Sequence, residues 1–254
     1  MGKVVKANLF DRDNMRYEPL SIRKNKVQIE QDAIDPATAT AHVTDEQYHQ
    51  IEQIVRSICR ARRSGASVML SFGAHTIKNG LALLLRTLIL DGWVTHLATN
   101  GAGVIHDWEF SYLGSSSEDV RENVAQGRFG TWEETGLLIN LALAVGAYEG
   151  LGYGSSVGSL ISNNGLHIPE RSALHRVCDH DSSASLQEKA AALDLLQVID
   201  HLDIPSGFMA KEHRYAQYSV QSCAYEEGVP FTSHPMFGHD IIYTHKACSG
   251  AAIG

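Results

Sequence analysis

Blocks of helical periodicity alternate with short apolar runs along much of this chain. A helix is predicted after Thr44 by the stretch YHQIEQIVRSICRARR, in which isoleucine and valine recur on one face. Strands are predicted by SVMLSF at 67–72, WVTHLAT at 93–99 and VPFTS at 229–233, and TIKNGLALLLRTLILDG between the first two has helical length and ends on a glycine. This order leaves little room for hairpins. It predicts an α/β fold with a parallel sheet and helices on both faces.

Helix starts are indicated by the capping box, a serine or threonine followed three residues later by glutamate or glutamine. Such boxes occur as TDEQ at 44–47, SSSE at 115–118, TWEE at 131–134 and SLQE at 185–188. The glycine-rich stretch GLGYGSSVG at 150–158 lacks a phosphate-loop lysine and predicts a flexible junction between helices. Residues 1–43 have no sustained period, so we expect an N-terminal arm followed by one α/β domain over 44–254.

Composition limits the partners and the compartment of the protein. Of the 254 residues, 44% are hydrophobic and 20% are charged, which is the balance of a folded globular chain. The formal net charge of −8, with no basic cluster beyond RARR, disfavours nucleic-acid binding. The cysteines form no CxxC pair, and no apolar run is long enough to span a bilayer. We therefore expect a cytoplasmic protein that binds neither nucleic acid nor membranes.

Glycine-bearing loops follow the predicted strands. They are SFGAH at 71–75, TNGAGVIHD at 99–107 and SHPMFGHD at 233–240. The carboxyl ends of parallel strands share one edge of a sheet, where ligands usually bind. Small residues let a ligand approach the backbone, and the free amide groups of a helix start suit a phosphate. These loops are candidate walls of a dinucleotide crevice, although glycine after a strand also serves ordinary turns.

Histidine is abundant, with 13 residues, and three of them lie in or just after the third loop. His234, His239 and His245 lie close to Asp240 in the sequence, and histidine with carboxylate is a common ligand set for divalent metals. Their spacing matches no known zinc motif, so no metal ligand is assigned. The alternative role is proton transfer, in which a carboxylate orients the imidazole. His239, Asp240 and His245 are the candidate catalytic residues.

The stretch from SVMLSF to SYLG, within residues 67–114, resembles the deoxyhypusine synthase family. That family has a strand and turn ending in S-N-L-I-S-S-G, a helix, then V-T-T-A-G-G-x-E-E-D and a further helix. The later stretch VPFTSHPMFGHDIIYTH resembles the family's P-V-x-x-P and G-S-L-G-D-M-x-F-F-H motifs. The resemblance covers roughly residues 50–114 and 225–250.

This resemblance implies a Rossmann-like fold that binds NAD and assembles as a homotetramer with sites between subunits. It also implies transfer of an aminobutyl group from spermidine to a lysine acceptor. By position, Asp107 and Asp240 are the acidic residues of the two motifs. The cofactor-binding residues implied are Gly73, Ala74, His75, Thr99, Asn100, Gly101, Ala102, Gly103 and Asp107.

Departures from the family pattern bear on the activity. Ile105 and His106 stand where the family has paired glutamates, which removes carboxylates that suit a polyamine. The chain ends at Gly254 without the family's G-G-G turn or the W-G-K motif that carries the covalent lysine, as expected of a shortened relative or a piece of a longer protein. The expected function is NAD-dependent oxidation of an amine with aminoalkyl transfer. A histidine- and aspartate-based metal hydrolase and a non-catalytic NAD-binding oligomer are the alternatives.

Overall fold

A computed structural model describes residues 11–254 of the chain. Within that range the strands are β1 (Asn25–Gln28), β2 (Met69–Ser71), β3 (His96–Asn100), β4 (Ser115–Glu118), β5 (Gly165–Ile168), β6 (Gly207–Ala210) and β7 (Phe231–His234). The α-helices are α1 (Ile29–Asp32), α2 (Asp45–Arg63), α3 (Ala74–Lys78), α4 (Ala82–Leu90), α5 (Gly101–Leu113), α6 (Val120–Ala125), α7 (Glu133–Glu149), α8 (Tyr153–Ser162), α9 (Arg171–Cys178), α10 (Leu186–His201), α11 (Val220–Glu226) and α12 (Gly250–Ile253). Short 3-10 turns lie at Leu20–Ile22, Ala216–Tyr218 and Ile241–Thr244.

The central sheet contains three parallel strands in the order β2-β3-β7, which confirms the α/β class. Leu70, Leu97 and Phe231 are in register across one face, where α5, α8 and α11 pack. On the other face Met69 and His234 are exposed. The sheet is therefore small, and the helical cover predicted for both of its faces is incomplete on one.

The N-terminal segment is built into the domain. β1 pairs antiparallel with β4, and Leu20 and Ile29 are fully buried. The first ten residues of the predicted arm lie outside the described range. Burial of apolar side chains from residues 20–29 fixes this segment against α5 and α7, because exposing them to water would cost free energy.

The predicted capping box at Ser115 is wrong. Ser115 and Ser116 belong to β4 and pair with Gln28 and Val27 of β1. The next helix, α6, begins later, and Asp119 caps it by accepting a hydrogen bond from the backbone N–H of Glu122. The serine backbone finds its hydrogen-bond partners in a distant strand, which local sequence does not reveal.

Two of the other capping boxes are confirmed, and one is wrong although its helix forms. Thr44 with Gln47 and Ser185 with Glu188 make both reciprocal hydrogen bonds, at the starts of α2 and α10. At the start of α7, the Glu134 carboxylate instead accepts from the backbone N–H of Leu20, at 2.6 Å. Tertiary contact with the N-terminal segment diverts this glutamate from its local partner.

The prediction of a flexible junction at 150–158 is wrong. Most of it forms the first turns of α8, which is buried between β7 and α11. A side chain at Gly154 would overlap Phe231, and one at Gly158 would overlap the backbone of Gln221. These glycines let α8 approach the strand and the helix closely.

No single helix in residues 11–254 is long and apolar enough to cross a membrane, and only α7 with α8, bent by 108°, passes that test as a pair. Both helices are largely buried in the core.

Candidate functional site

The carboxyl ends of the parallel strands meet at one edge of the central sheet, as predicted. Ser71 pairs in register with Ala98, and Asn100 pairs with His234. The loop after β2, the start of α5 and the loop after β7 therefore leave the sheet at the same edge. The order of these strands across the sheet, β2-β3-β7, is also their order along the chain. Doubly wound folds form their ligand crevice where the strand order reverses, and these three strands contain no such reversal.

Asp240 reaches from the third loop to the start of α5. A side chain at Gly101 would overlap its carboxylate, so the two residues are in direct contact. The Asp240 side chain is only 8% exposed, and its Oδ2 atom has no hydrogen-bond partner within the described chain. Burial raises the pKa of this carboxyl, while neighbouring His239 opposes the rise. The positive end of the α5 dipole also favours the ionised form.

Two tyrosine hydroxyls lie in the surroundings of this carboxylate. The hydroxyl groups of Tyr153 and Tyr243 are buried and have no hydrogen-bond partner among residues 11–254. Burial, and then the charge of Asp240, raise the pKa of Tyr243 to about 12 and also raise that of Tyr153. Both phenols are therefore protonated at neutral pH. We call Asp240, Tyr153 and Tyr243 the Asp240 cluster.

A cleft of about 480 Å³ reaches Tyr153 of this cluster, whereas Asp240 and Tyr243 do not line it. It is lined by Tyr153 together with Ser233, whose hydroxyl is also buried and unpartnered within the described range, and by Asp194 of α10. Leaving a buried polar group unpaired costs about 1–3 kcal/mol. A ligand that enters the cleft and pairs with these groups would recover part of that free energy.

His239 and Asp240 are brought together as the loop pattern predicts. The Nδ1 atom of His239 lies 3.7 Å from Oδ1 of Asp240, and the imidazole is 72% exposed. This arrangement leaves His239 free to exchange protons with solvent while Asp240 stays sheltered.

His245, the third catalytic candidate, is fully buried instead. Its Nδ1 accepts a hydrogen bond from the backbone N–H of Ala247 at 3.0 Å, so the neutral ring carries its proton on Nε2, which lies 3.5 Å from Glu133 Oε2. The ring packs edge-on against Tyr17, with centroids 4.6 Å apart, and burial lowers its pKa. These contacts make His245 part of the core packing.

The predicted cofactor loops are only partly open. Gly73, Ala74 and His75 form the start of α3, and no atom lies within 4 Å of a side chain built on Gly73. The Thr99 hydroxyl donates to the carbonyl of Phe72 at 2.8 Å, and its side chain fills the space beside Gly103.

The first turn of α5, Gly101–Gly103, is likewise in contact with side chains of the protein itself. Asn100 caps it by accepting a hydrogen bond from the backbone N–H of Gly103, at 2.9 Å. Ala102 lies in the same turn. Since Asp240 and Thr99 fill the space at the two glycines, this turn does not present a free backbone surface.

Asp107 does not face the sheet edge, so its predicted place in the second loop is wrong. The helix α5 begins at Gly101, inside the predicted loop at 99–107, and carries Asp107 into the core. There its carboxylate accepts hydrogen bonds from the Ser219 hydroxyl, the backbone N–H groups of Val220 and Gln221, and the Gln221 side chain. It anchors the start of α11 rather than a ligand.

A buried network around Glu109 escaped the sequence analysis. The Glu109 carboxylate accepts hydrogen bonds from Arg23, Thr135 and Ser116. Because the Ser116 proton is donated to Glu109, its oxygen can only accept from His106 Nδ1, at 2.7 Å. Neutral His106 therefore carries its proton on Nδ1. The local signal was a pair of acidic residues, Asp107 and Glu109, within a helix rich in apolar residues.

The histidines of the third loop do not assemble a metal site. Among residues 11–254, no group of three or more histidine, cysteine, aspartate or glutamate side chains is placed to hold a metal ion. His234 Nε2 instead lies 3.0 Å from the Thr232 hydroxyl on the exposed face of the sheet. The described geometry thus lacks the ligand cluster that a metal hydrolase requires.

Comparisons with protein-family models, with curated proteins and with solved structures gave no match to this chain.

Proposed function

We propose that this chain binds an aliphatic amine of the polyamine class at the carboxyl edge of the central sheet, with Asp240 as the residue that recognises the ammonium group. The observation that carries the proposal is the buried Asp240 Oδ2 atom, which has no hydrogen-bond partner among the described residues. An ammonium group supplies three N–H donors and a positive charge. The carboxylate and the hydroxyl oxygens of Tyr153 and Tyr243 are acceptors of matching number and chemistry.

The charge of the site supports a cation rather than a phosphate. Asp240 lies against the helix start where a phosphate would bind, and Asp194 lines the adjoining cleft. Two carboxylates would repel an anion, whereas a molecule with several ammonium groups is attracted by both. The net charge of −8 acts in the same direction at long range.

Amine oxidation with aminoalkyl transfer, the chemistry that the deoxyhypusine synthase resemblance implies, would require a hydride acceptor such as NAD. The step proposed here for this chain's own residues is binding and deprotonation of the amine. A bound ammonium must lose a proton before its nitrogen lone pair can assist bond cleavage or attack an acceptor. His239 takes that proton in our proposal, because its ring adjoins Asp240 and is open to solvent. Asp240 and the tyrosines hold the amine in place, and His239 passes the proton to water.

The family resemblance implies that NAD is the cofactor and that the fold is Rossmann-like. The first turn of α5 does not fit a pyrophosphate, because Asp240 and Thr99 fill the space at Gly101 and Gly103. Of the glycines assigned to the cofactor, Gly73 alone has open space beside it. NAD therefore enters no step of the proposed mechanism, and the proposal rests on amine recognition by Asp240.

Calorimetric titration with spermidine tests the proposal. We expect saturable binding to the wild-type chain and a loss of at least tenfold in affinity for Asp240→Asn, since a charge-assisted hydrogen bond contributes about 1.5–3 kcal/mol. The matched control is Asp181→Asn, which removes a fully exposed carboxylate and should bind normally. 1,8-Octanediol, which lacks the charge, should not bind. Equal affinities of the two variants for spermidine would refute the role of Asp240.

A turnover assay separates an enzyme from a binding module. Spermidine and NAD are incubated with the chain, and the products are analysed by mass spectrometry. Cleaved polyamine that depends on His239 supports the enzyme. Binding without cleavage supports the non-catalytic alternative.

A further inference from the structure

The helix α2 stands apart from the core of the domain. It spans Asp45–Arg63, and none of its residues is buried. Large apolar side chains on it are open to solvent, with Ile51 46%, Ile54 58% and Val55 50% exposed. A helix of this length normally buries its apolar face against another element, so this face is suited to a partner.

The spacing of the apolar residues is that of a two-helix seam. Tyr48, Ile51 and Val55, which are exposed, and Ile58, which is partly buried, follow one another at intervals of 3, 4 and 3 residues. Such intervals place side chains on one stripe that packs knobs-into-holes with a facing helix. The order of intervals is the same in both directions, so an antiparallel copy of the helix presents matching positions. Tyr48 then meets Ile58 of the second copy, and Ile51 meets Val55.

The charges of α2 select the antiparallel orientation. Asp45 and Glu46 lie in its first turn, and Arg60, Arg62 and Arg63 lie in its last turn. Antiparallel pairing brings the acidic end of each helix next to the basic end of the other. Parallel pairing would place like charges together at both ends, which is unfavourable.

We propose that α2 docks antiparallel against α2 of a second copy of this chain, forming a two-fold symmetric dimer. The same surface serves both partners, as such symmetry requires. The orientation of the helix on its own domain is held by Arg62, whose side chain donates to the carbonyl groups of Gly92 and Ala66 at 2.7 and 3.1 Å. This interface lies outside the Asp240 cluster and does not depend on amine binding.

Sedimentation velocity over a range from about 1 to 100 μM tests the proposal. We expect a concentration-dependent dimer for the wild-type chain and a dissociation constant at least tenfold higher for Ile51→Glu. Gln53→Glu is the matched control, because it adds the same charge to the exposed opposite face and should dimerise normally. Because no residue of α2 is buried, Ile51→Glu should keep the wild-type circular dichroism spectrum. A wild-type chain that is monomeric throughout, or a dimer that Ile51→Glu leaves intact, would overturn the proposal.

Charge reversal tests the orientation. Asp45→Arg combined with Glu46→Arg should weaken the dimer, and adding Arg60→Glu with Arg63→Glu should restore it. Loss of helix content at the first turn would not be rescued by changes at the last turn, so rescue reports pairing between copies. A dimer that is unaffected by the first pair of changes, or that the second pair fails to restore, contradicts antiparallel pairing.

Discussion

Arg23 and Glu109 form a bidentate ion pair in the core, with nitrogen–oxygen distances of 2.7 and 2.6 Å. Both side chains are buried, and the pair joins the N-terminal segment to α5. Burial by itself raises the pKa of Glu109, but the charge and hydrogen bonds of Arg23 outweigh it and hold the pKa below its ordinary value. The glutamate is therefore ionised at neutral pH and balances the buried guanidinium.

Removing the Glu109 charge should destabilise the fold strongly. Glu109→Gln leaves Arg23 buried without a counter-charge, and we expect a loss of about 3–5 kcal/mol in the free energy of unfolding, measured by urea denaturation. The control is Asp200→Asn, which breaks the surface ion pair with Arg171 at 2.6 Å and should cost at most about 1 kcal/mol. Similar losses in the two variants would contradict a structural role for the buried pair.

His213 should make the stability of the protein depend on pH. It is buried against the rings of Trp108 and Tyr112, and burial lowers its pKa to about 4. In the unfolded chain a histidine titrates near pH 6.5, so between these two values the unfolded state binds more protons. The contribution of His213 to the free energy of unfolding is therefore complete above about pH 6.5. It decreases as the pH drops towards 4, by about 3 kcal/mol at most.

The measurement is urea denaturation at several pH values between about 4 and 7. His213→Phe keeps a ring in the core but cannot titrate, so its stability should fall less steeply with decreasing pH. His106 and His245, whose pKa values are also lowered by burial, account for part of the remaining slope. The control His180→Ala removes an exposed imidazole, and its free energy of unfolding should depend on pH as that of the wild type does. A His213→Phe profile that matches the wild-type profile would refute the assignment.

The contact between Gly101 and Asp240 should be sensitive to a single methyl group. Gly101→Ala places its Cβ in the space of the Asp240 carboxylate, which must then move. We expect spermidine affinity to fall at least tenfold, as measured by calorimetry. Gly73→Ala is the control at the same sheet edge, because nothing lies within 4 Å of the added atom, and it should leave amine binding unchanged. Equal effects of the two substitutions would argue against Asp240 as the ligand group.

The local sequence was sufficient to predict structure where the residues that stabilise it are close together in the chain. The capping boxes at Thr44 and Ser185 form as predicted because both of their hydrogen bonds join residues three positions apart. The parallel strands were predictable from short apolar runs, and their shared edge follows from their direction. His239 and Asp240 lie together for the same reason, being neighbours in the chain.

Prediction from the local sequence failed where a residue distant in the chain takes the hydrogen-bonding group that a local partner was expected to take. The serines at 115–116 pair with β1, and Glu134 turns to Leu20 instead of capping its own helix. Asp107 was expected at the sheet edge because of its position in the motif that resembles the deoxyhypusine synthase family, but α5 carries it into the core. Its acceptors are satisfied by residues of α11, more than one hundred positions away in the chain.

The amino-acid sequence by itself determined the helices that begin at local caps and the three parallel strands, because periodicity and capping act over a few residues. It also determined that the carboxyl ends of the parallel strands lie at one edge. Only the tertiary structure decided which of the acidic side chains there is available to a ligand. Asp107 is saturated by protein donors while Asp240 keeps an unpaired oxygen within the described chain, and that difference depends on burial and on partners from remote segments, which spacing does not encode.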